Sequence, residues 1–338
     1  MNVLPSPLSR GVRDHVMQAQ APHRLPCSLV FVAGPLRSGS TLLTLMLDRH
    51  SSLKNPGEFD FLFDAFGVDG GLAEAQAMSS EELDDFFSDH RGFLSSPYKL
   101  GPSGPVPDRL HELVSRYAQG VPCLALSIHR NFVSAHEIFP QARFIHLLRD
   151  ARDCAKSAVA ASFSGNVYHG LEPWLNSEES WDRLLPRLKP EQYIEVRYEE
   201  LVSEPEKVLT QICEFLGLEF EPQMMDLSGT TYEPPSPRFA NQWRRSMSPR
   251  DVELIEARVA PMMAARGYEL VHPTQPRLSW WTLLSLKVQN TVKRHRVGLQ
   301  TYGFGNWMQD VVARHLGLRN MVRAARLRMF PIKAKTLK

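Results

Sequence analysis

The sequence predicts an α/β chain: a doubly wound, mostly parallel sheet with helices on both faces, followed by a basic helical C-terminal tail. Three observations carry this. The stretch "SLVFVAGPLRSGSTLLTLML", residues 28–47, runs from a short β-branched segment through a glycine-bearing loop into good helix formers. The stretch "ARFIHLLRD", residues 142–150, is apolar on both faces, as a central parallel strand must be. Residues 277–338 hold 13 lysines and arginines against one acidic residue, Asp310, whereas the preceding residues hold 26 basic and 36 acidic side chains. A change of composition that abrupt marks a boundary near "HPTQPRLSWW".

The chain has 338 residues, 43% apolar and 22% charged, enough for one sizeable core with appendages. Residues 1–26 carry four prolines and no continuous apolar stretch, so a flexible arm is expected there. The main domain is expected over 27–275 and a mainly helical extension over 276–338. Nowhere does a run of about 18 uncharged apolar residues occur, so no membrane span is expected. The four cysteines, Cys27, Cys123, Cys154 and Cys213, lie far apart without metal-type spacing. They read as free thiols in a reducing, cytoplasmic compartment, with neither redox chemistry nor a bound metal expected.

After the first strand, loop and helix, residues 60–122 are less regular, with an acidic run "EELDDFFSDH" and a turn-rich "GPSGPVPD"; substrate-side helices and a loop are expected. "CLALSI" and "ARFIHLLRD" read as strands around a helix at "VSAHEIF". Helix resumes at "DARDCAKSAVAAS", with Asp150 and Asp153 in its first turn, where the helix dipole favours negative charge. "ESWDRLLPRL" reads as helix and "QYIEVRYEEL" as strand. "PEKVLTQICEFLGL" reads as a helix opened by Pro205 and closed near Gly217. In the tail, Leu318, Met321, Val322 and Ala325 recur at helical spacing between Arg319, Arg323 and Arg326. Two uses stay open for that helix: contact with an anionic membrane or polymer, and docking on the acidic body of its own chain.

Ligands of doubly wound sheets sit at the carboxyl ends of the strands, which gathers Arg37, Arg149 and the residues after "CLALSI" around one crevice. The loop "GPLRSGST" nearly spells a nucleotide P-loop, but Ser40 stands where the phosphate-binding lysine would. Its backbone N–H groups and the helix dipole still favour an anion. Arg37 adds a planar fork of donors suited to a tetrahedral oxyanion. An ATP-dependent kinase is disfavoured by the missing lysine and by the lack of an obvious magnesium carboxylate at a strand end.

A second element, "RFIHLLRDARDCAKSAV", ends a buried strand with Arg149 and places Ser157 two helical turns later. With both elements in this order, residues 29–271 resemble the sulfotransferases that use 3′-phosphoadenosine 5′-phosphosulfate (PAPS). The tyrosylprotein and carbohydrate-type branches are the nearest, because "LKNPGEFDF" resembles the acidic element after the loop in the first of these. The resemblance implies a P-loop sulfotransferase fold, PAPS as co-substrate, 3′-phosphoadenosine 5′-phosphate (PAP) as product, and an acceptor that the sequence does not name. It implies that Arg37, Ser38, Gly39, Ser40 and Thr41 hold the 5′-phosphosulfate, and that Arg149 and Ser157 hold the 3′-phosphate. Tyr198 is expected near adenine, and Arg244 or Arg245 in the closing segment near the 3′-phosphate.

Sulfuryl transfer needs a base for the acceptor and positive charge at the transferring and leaving groups. Glu58 is the expected base and Arg37 the expected charge stabiliser. His129 is a second catalytic candidate, as base or as a donor beside Arg37, because relatives carry a lysine in "LSIHRNF" where this chain has none. The missing lysine and the long tail also suit an alternative: a catalytically inactive PAP- or PAPS-binding scaffold of the same fold. His146, inside a buried strand, reads as a core histidine.

Overall fold

The computed structural model describes residues 25–272, 274–275 and 277–336; the arm expected over 1–26 therefore lies almost wholly outside the described residues. In chain order come β1 (Ser28–Ala33), α1 (Ser40–Leu47) and β2 (Leu53–Lys54), then two 3₁₀ turns, Asp60–Leu62 and Asp64–Phe66. Four helices follow: α2 (Leu72–Ala77), α3 (Ser80–Phe87), α4 (Arg91–Leu94) and α5 (Val106–Tyr117). Next are β3 (Cys123–Ile128), α6 (Phe132–Ile138), β4 (Arg143–Leu148), α7 (Ala151–Ala160), α8 (Val167–Gly170) and α9 (Glu172–Leu184). The body closes with β5 (Tyr193–Arg197), α10 (Tyr198–Ser203), α11 (Pro205–Leu216), α12 (Trp243–Ser246) and α13 (Pro249–Ala265). The tail forms α14 (Trp280–His315) and α15 (Arg319–Thr336).

The five strands make one sheet in the order β2-β3-β1-β4-β5, and every pairing is parallel. Strand β1 is central, and its two faces feed two cores, because successive side chains of a strand point to opposite sides. Leu29, Phe31 and Ala33 join Leu124, Leu126, Phe144 and the apolar faces of α5 and α6. Val30 and Val32 join Ile145, Leu147 and the apolar faces of α1, α10 and α11. That is the expected doubly wound arrangement. The sheet order turns at β1, so the crevice at a topological switch point opens beside the carboxyl ends of β1, β3 and β4.

Two local readings change. "QYIEVRYEEL" is strand only through Arg197; Tyr198 begins α10, where Glu199 accepts the Asp150 N–H at 3.1 Å instead of extending the ladder. Asp150 is the N-cap of α7, not a first-turn residue, and its carboxylate accepts the Arg152 N–H at 2.8 Å. Gly217, in the left-handed region at φ 72°, ends α11 as expected.

A third core cluster joins α7, α8, α9 and α13, and Leu286 of α14 is buried in it. The tail is thus packed on the body. In α15, Arg323 reaches Asp85 at 3.1 Å and Arg326 reaches Asp89 at 3.3 Å, so the basic helix meets the acidic run beside α3. Among the described residues, no helix is long and apolar enough to cross a membrane. All four cysteines are unpaired.

Candidate functional site

The loop between β1 and α1 is shaped by sterics at two glycines. A Cβ on Gly34 would sit 2.3 Å from the Leu147 carbonyl oxygen, so only glycine lets the loop cross β4 this closely. Gly39 caps α1 at φ 98°, and a Cβ there would meet the Tyr198 ring at 2.3 Å. Between them Arg37 also adopts a positive φ, 75°, which costs a residue with a Cβ about 1–2 kcal/mol. The surroundings hold it there: the Arg37 carbonyl accepts a 2.9 Å hydrogen bond from Arg149 Nη1. Strain kept at one residue of an anion loop is a feature of functional sites.

The two elements quoted from the sequence meet here. Arg37 Nε donates to Ser157 Oγ at 3.0 Å, and the Arg149 guanidinium lies 4.0 Å over the Tyr198 ring. Tyr198 is buried between Gly39 and Arg149, so it supports both halves at once. Two buried polar atoms in this group, Ser38 Oγ and Arg149 Nε, have no partner among the described residues. Both can donate, and buried donors are rarely left unpaired.

Beside α1 lies a second cluster. The Asp60 carboxylate takes the His129 backbone N–H at 2.7 Å and contacts His129 Nδ1 at 2.8 Å; His129 Nε2 lies 3.2 Å from Ser40 Oγ. Burial opposes charge on this imidazole, but the Asp60 charge and hydrogen bond outweigh it and hold the His129 pKa above its ordinary value. Burial likewise raises Asp60, and the His129 contacts overcome that to hold it below the ordinary carboxylate value. The shift favours the protonated ring, in which Nδ1–H faces Asp60 and Nε2–H faces Ser40. Glu58 is exposed and bridges to Ser127 at the edge of β3. Its carboxylate, that of Asp60 and the His129 ring lie within 4.8 Å of one another. Both ring nitrogens and both Asp60 oxygens already face protein partners.

Arg244 and Arg245 have other engagements. Arg244 pairs with Glu269 at 2.7 Å, and Arg245 donates to the Arg238 carbonyl. Their segment docks on α7: Asp153 accepts the N–H groups of Gln242 at 3.1 Å and Trp243 at 2.7 Å, and Lys156 donates to Ser246. His146 is a core residue, stacked on Trp181 at 4.1 Å, with Nε2 3.4 Å from Glu178 and Nδ1 facing Glu195 at 3.4 Å without a hydrogen bond. Asp60 was not anticipated; the only signal for it was a second carboxylate two residues after Glu58 in "GEFD".

The profile of the sulfotransferase family matches residues 29–222. Protein-tyrosine sulfotransferase 2 of Gallus gallus is 24% identical over 267 residues, covering 71% of this chain and 69% of that protein. Carbohydrate sulfotransferase 2 of Mus musculus is 31% identical over 93 residues, covering 24% of this chain and 18% of that protein. The sulfotransferase domain from the Synechococcus PCC 7002 olefin synthase superposes with a TM-score of 0.54 at 22% identity, over 74% of this chain and 98% of that one, which shows a shared fold. With a family match over more than half its length and the loop and second element joined in space, this chain belongs to the sulfotransferase family.

Proposed function

We propose that the protein moves a sulfuryl group from PAPS to a hydroxyl or amine of an acceptor by in-line displacement. The observation that carries the reading is the Arg37–Ser157 hydrogen bond, with Arg149 on the Arg37 carbonyl, because it gathers donors suited to both anionic ends of PAPS. The unpartnered Ser38 Oγ and Arg149 Nε fit an anionic ligand in the same place. PAPS supplies an activated sulfuryl group on a phosphosulfate anhydride. Arg37, the loop N–H groups and the hydroxyls of Ser38, Ser40 and Thr41 hold its 5′ end; Arg149 and Ser157 hold its 3′-phosphate. Tyr198 braces that side, and the Arg244–Arg245 segment closes over it.

The electrostatics favour a division of labour. A raised His129 pKa favours the ring as a proton donor over a proton acceptor, so His129 serves as a donor through Nε2, beside Ser40 and in the role of the relatives' lysine. Glu58, exposed and next to it, is the base that takes the acceptor proton. No step of this scheme uses a metal.

Calorimetry with PAP and with ATP tests the donor assignment: PAP should bind and ATP should not. Transfer of labelled sulfuryl from PAPS into fractionated lysate then tests turnover and isolates the acceptor. A chain that binds PAP but labels nothing would be the inactive scaffold that the missing lysine suggests.

A further inference from the structure

The first half of α14 has two faces of opposite character. On one, Leu286 is 5% exposed within the third core cluster, and Asn290 accepts the Gly165 N–H at 2.6 Å while Asn166 donates to the Leu286 carbonyl at 2.8 Å. On the other, Trp281, Leu284, Val288 and Val292 follow the helical spacing of three, four and four residues. At 100° per residue these four stay within about 80° of arc, opposite Asn290. All are open to solvent: Trp281 64%, Leu284 46%, Val288 54% and Val292 61%. A docked helix ordinarily turns its apolar stripe inward. This one turns it outward, and Lys287, Lys293, Arg294 and Arg296 accompany it, all exposed, with no acidic residue between 280 and 302.

We propose that this face of α14 seats the protein on an anionic lipid bilayer, so that the mouth of the Arg37 site lies at the lipid–water boundary. The pattern of apolar stripe, tryptophan and basic flanks matches what an interfacial helix needs. A polyanion such as nucleic acid would pair with the basic side chains but leave Trp281, Val288 and Val292 in water. A second copy set stripe to stripe would bring together two segments that each carry 13 basic residues and one acidic residue. The route to the site is short. Asn290 Cα lies 2.5 Å from where a Gly165 Cβ would be, and in the same loop Phe163 sits 6.0 Å from the Arg37 guanidinium carbon. Only the statement about the mouth of the site rests on the proposed sulfuryl transfer; the docking face stands on α14 itself.

The test is cosedimentation of the full chain with vesicles of phosphatidylglycerol and phosphatidylcholine, against vesicles of phosphatidylcholine alone. Binding to the mixed vesicles only, weakening as salt rises, is the expected result. A Val288→Gln, Val292→Gln double variant and a Lys293→Glu, Arg296→Glu double variant should each bind about tenfold or more weakly. Their PAP affinity by calorimetry should match that of the parent, which shows that the body has kept its fold. The proposal is overturned if the parent ignores the mixed vesicles or if the stripe variant binds as well as the parent. It also falls if ultracentrifugation shows a dimer that the stripe substitutions split. A parent that binds mixed vesicles but not PAP would keep this proposal and remove the donor assignment.

Discussion

Arg37 and Ser157, 120 residues apart in the chain, are joined by a 3.0 Å hydrogen bond from Nε to Oγ. The hydroxyl reaches Arg37 from two turns inside α7, so the loop and the start of α7 form one surface. Arg149, at the end of β4, has a second task in holding the Arg37 carbonyl.

This difference separates two variants. Ser157→Ala removes the contact proposed for the 3′-phosphate, and with it the hydrogen bond from Arg37, but leaves Arg149 on the Arg37 carbonyl. It should weaken PAP binding about tenfold, near the low end of the 1.5–3 kcal/mol expected of a hydrogen bond to a charged group, and spare adenosine 5′-phosphosulfate. Arg149→Ala also frees the strained loop, so it should weaken both ligands. Calorimetry with both nucleotides reads the pattern; equal losses in Ser157→Ala would show that Ser157 does not face the 3′-phosphate.

Gly39→Ala should be among the most damaging small substitutions in the protein. The new methyl would enter the Tyr198 ring, and φ 98° is costly for alanine, by roughly 1–2 kcal/mol before any clash. A Gly39→Ala, Tyr198→Ala double variant relieves the clash but not the backbone cost. Urea melts should therefore show partial recovery of the midpoint relative to Gly39→Ala, after correction for the Tyr198→Ala single variant. A Gly39→Ala protein as stable as the parent would contradict the packing.

The sequence made the sheet legible because β1, β3 and β4 are buried on both faces and read as continuous apolar runs. Tyr198 was harder. Its segment keeps a strand-like pattern, and only the packing of α10 shows that a helix begins there. Arg37, Arg149 and Ser157 were legible as motif residues, whereas the hydrogen bond between two of them depends on tertiary closure. Asp60 could not be read, since it meets His129 across 69 residues and looks like any solvated aspartate. The tail's charge was plain, but its pairing with Asp85 and Asp89 depends on where α3 lies in space.

The buried His146 predicts a pH dependence of stability. Burial disfavours its charge, yet Glu178 and Glu195 raise its pKa above the ordinary 6.5. Stabilisation from a raised histidine is complete below the unfolded value and is lost as pH rises through the folded one. Burial also works against charge on Glu178, but His146 and Arg266 hold it below 4.5, so its contribution is present above that value and lost in acid. Urea midpoints should therefore fall as pH is raised above about 6.5. His146→Phe, which keeps the stack on Trp181, should make that fall smaller; His129, shifted in the same direction, and at higher pH the buried thiols contribute to what is left. An unchanged alkaline slope would show that His146 is neutral in the folded protein.

Asp60→Asn tests whether His129 works as an imidazolium. Removing the carboxylate charge leaves burial to dominate, and burial lowers the His129 pKa. If protonated His129 is the required donor, the alkaline fall in kcat/KM should move to lower pH in Asp60→Asn. If neutral His129 were the base, activity would instead extend to lower pH. PAP affinity measured beside the rates separates this effect from a general loosening of the site.

The choice between Glu58 and His129 as base decides the mechanism. A general base contributes about 10²- to 10⁴-fold to rate and little to holding the donor, so Glu58→Gln should lose turnover and keep PAP affinity. His129→Gln retains a side-chain amide that can reach Ser40 or Asp60, but it removes the ionisable ring facing Asp60. Its loss of rate should be smaller, and donor binding should weaken with it, because a donor beside Ser40 serves ground state and transition state alike. Single-turnover transfer with PAP titrations of both variants provides the comparison once the lysate screen has yielded an acceptor. A nearly active Glu58→Gln beside an inactive His129→Gln with normal PAP affinity would make His129 the base, and the geometry would then require Asp60 to orient a neutral ring instead of pairing with a charged one.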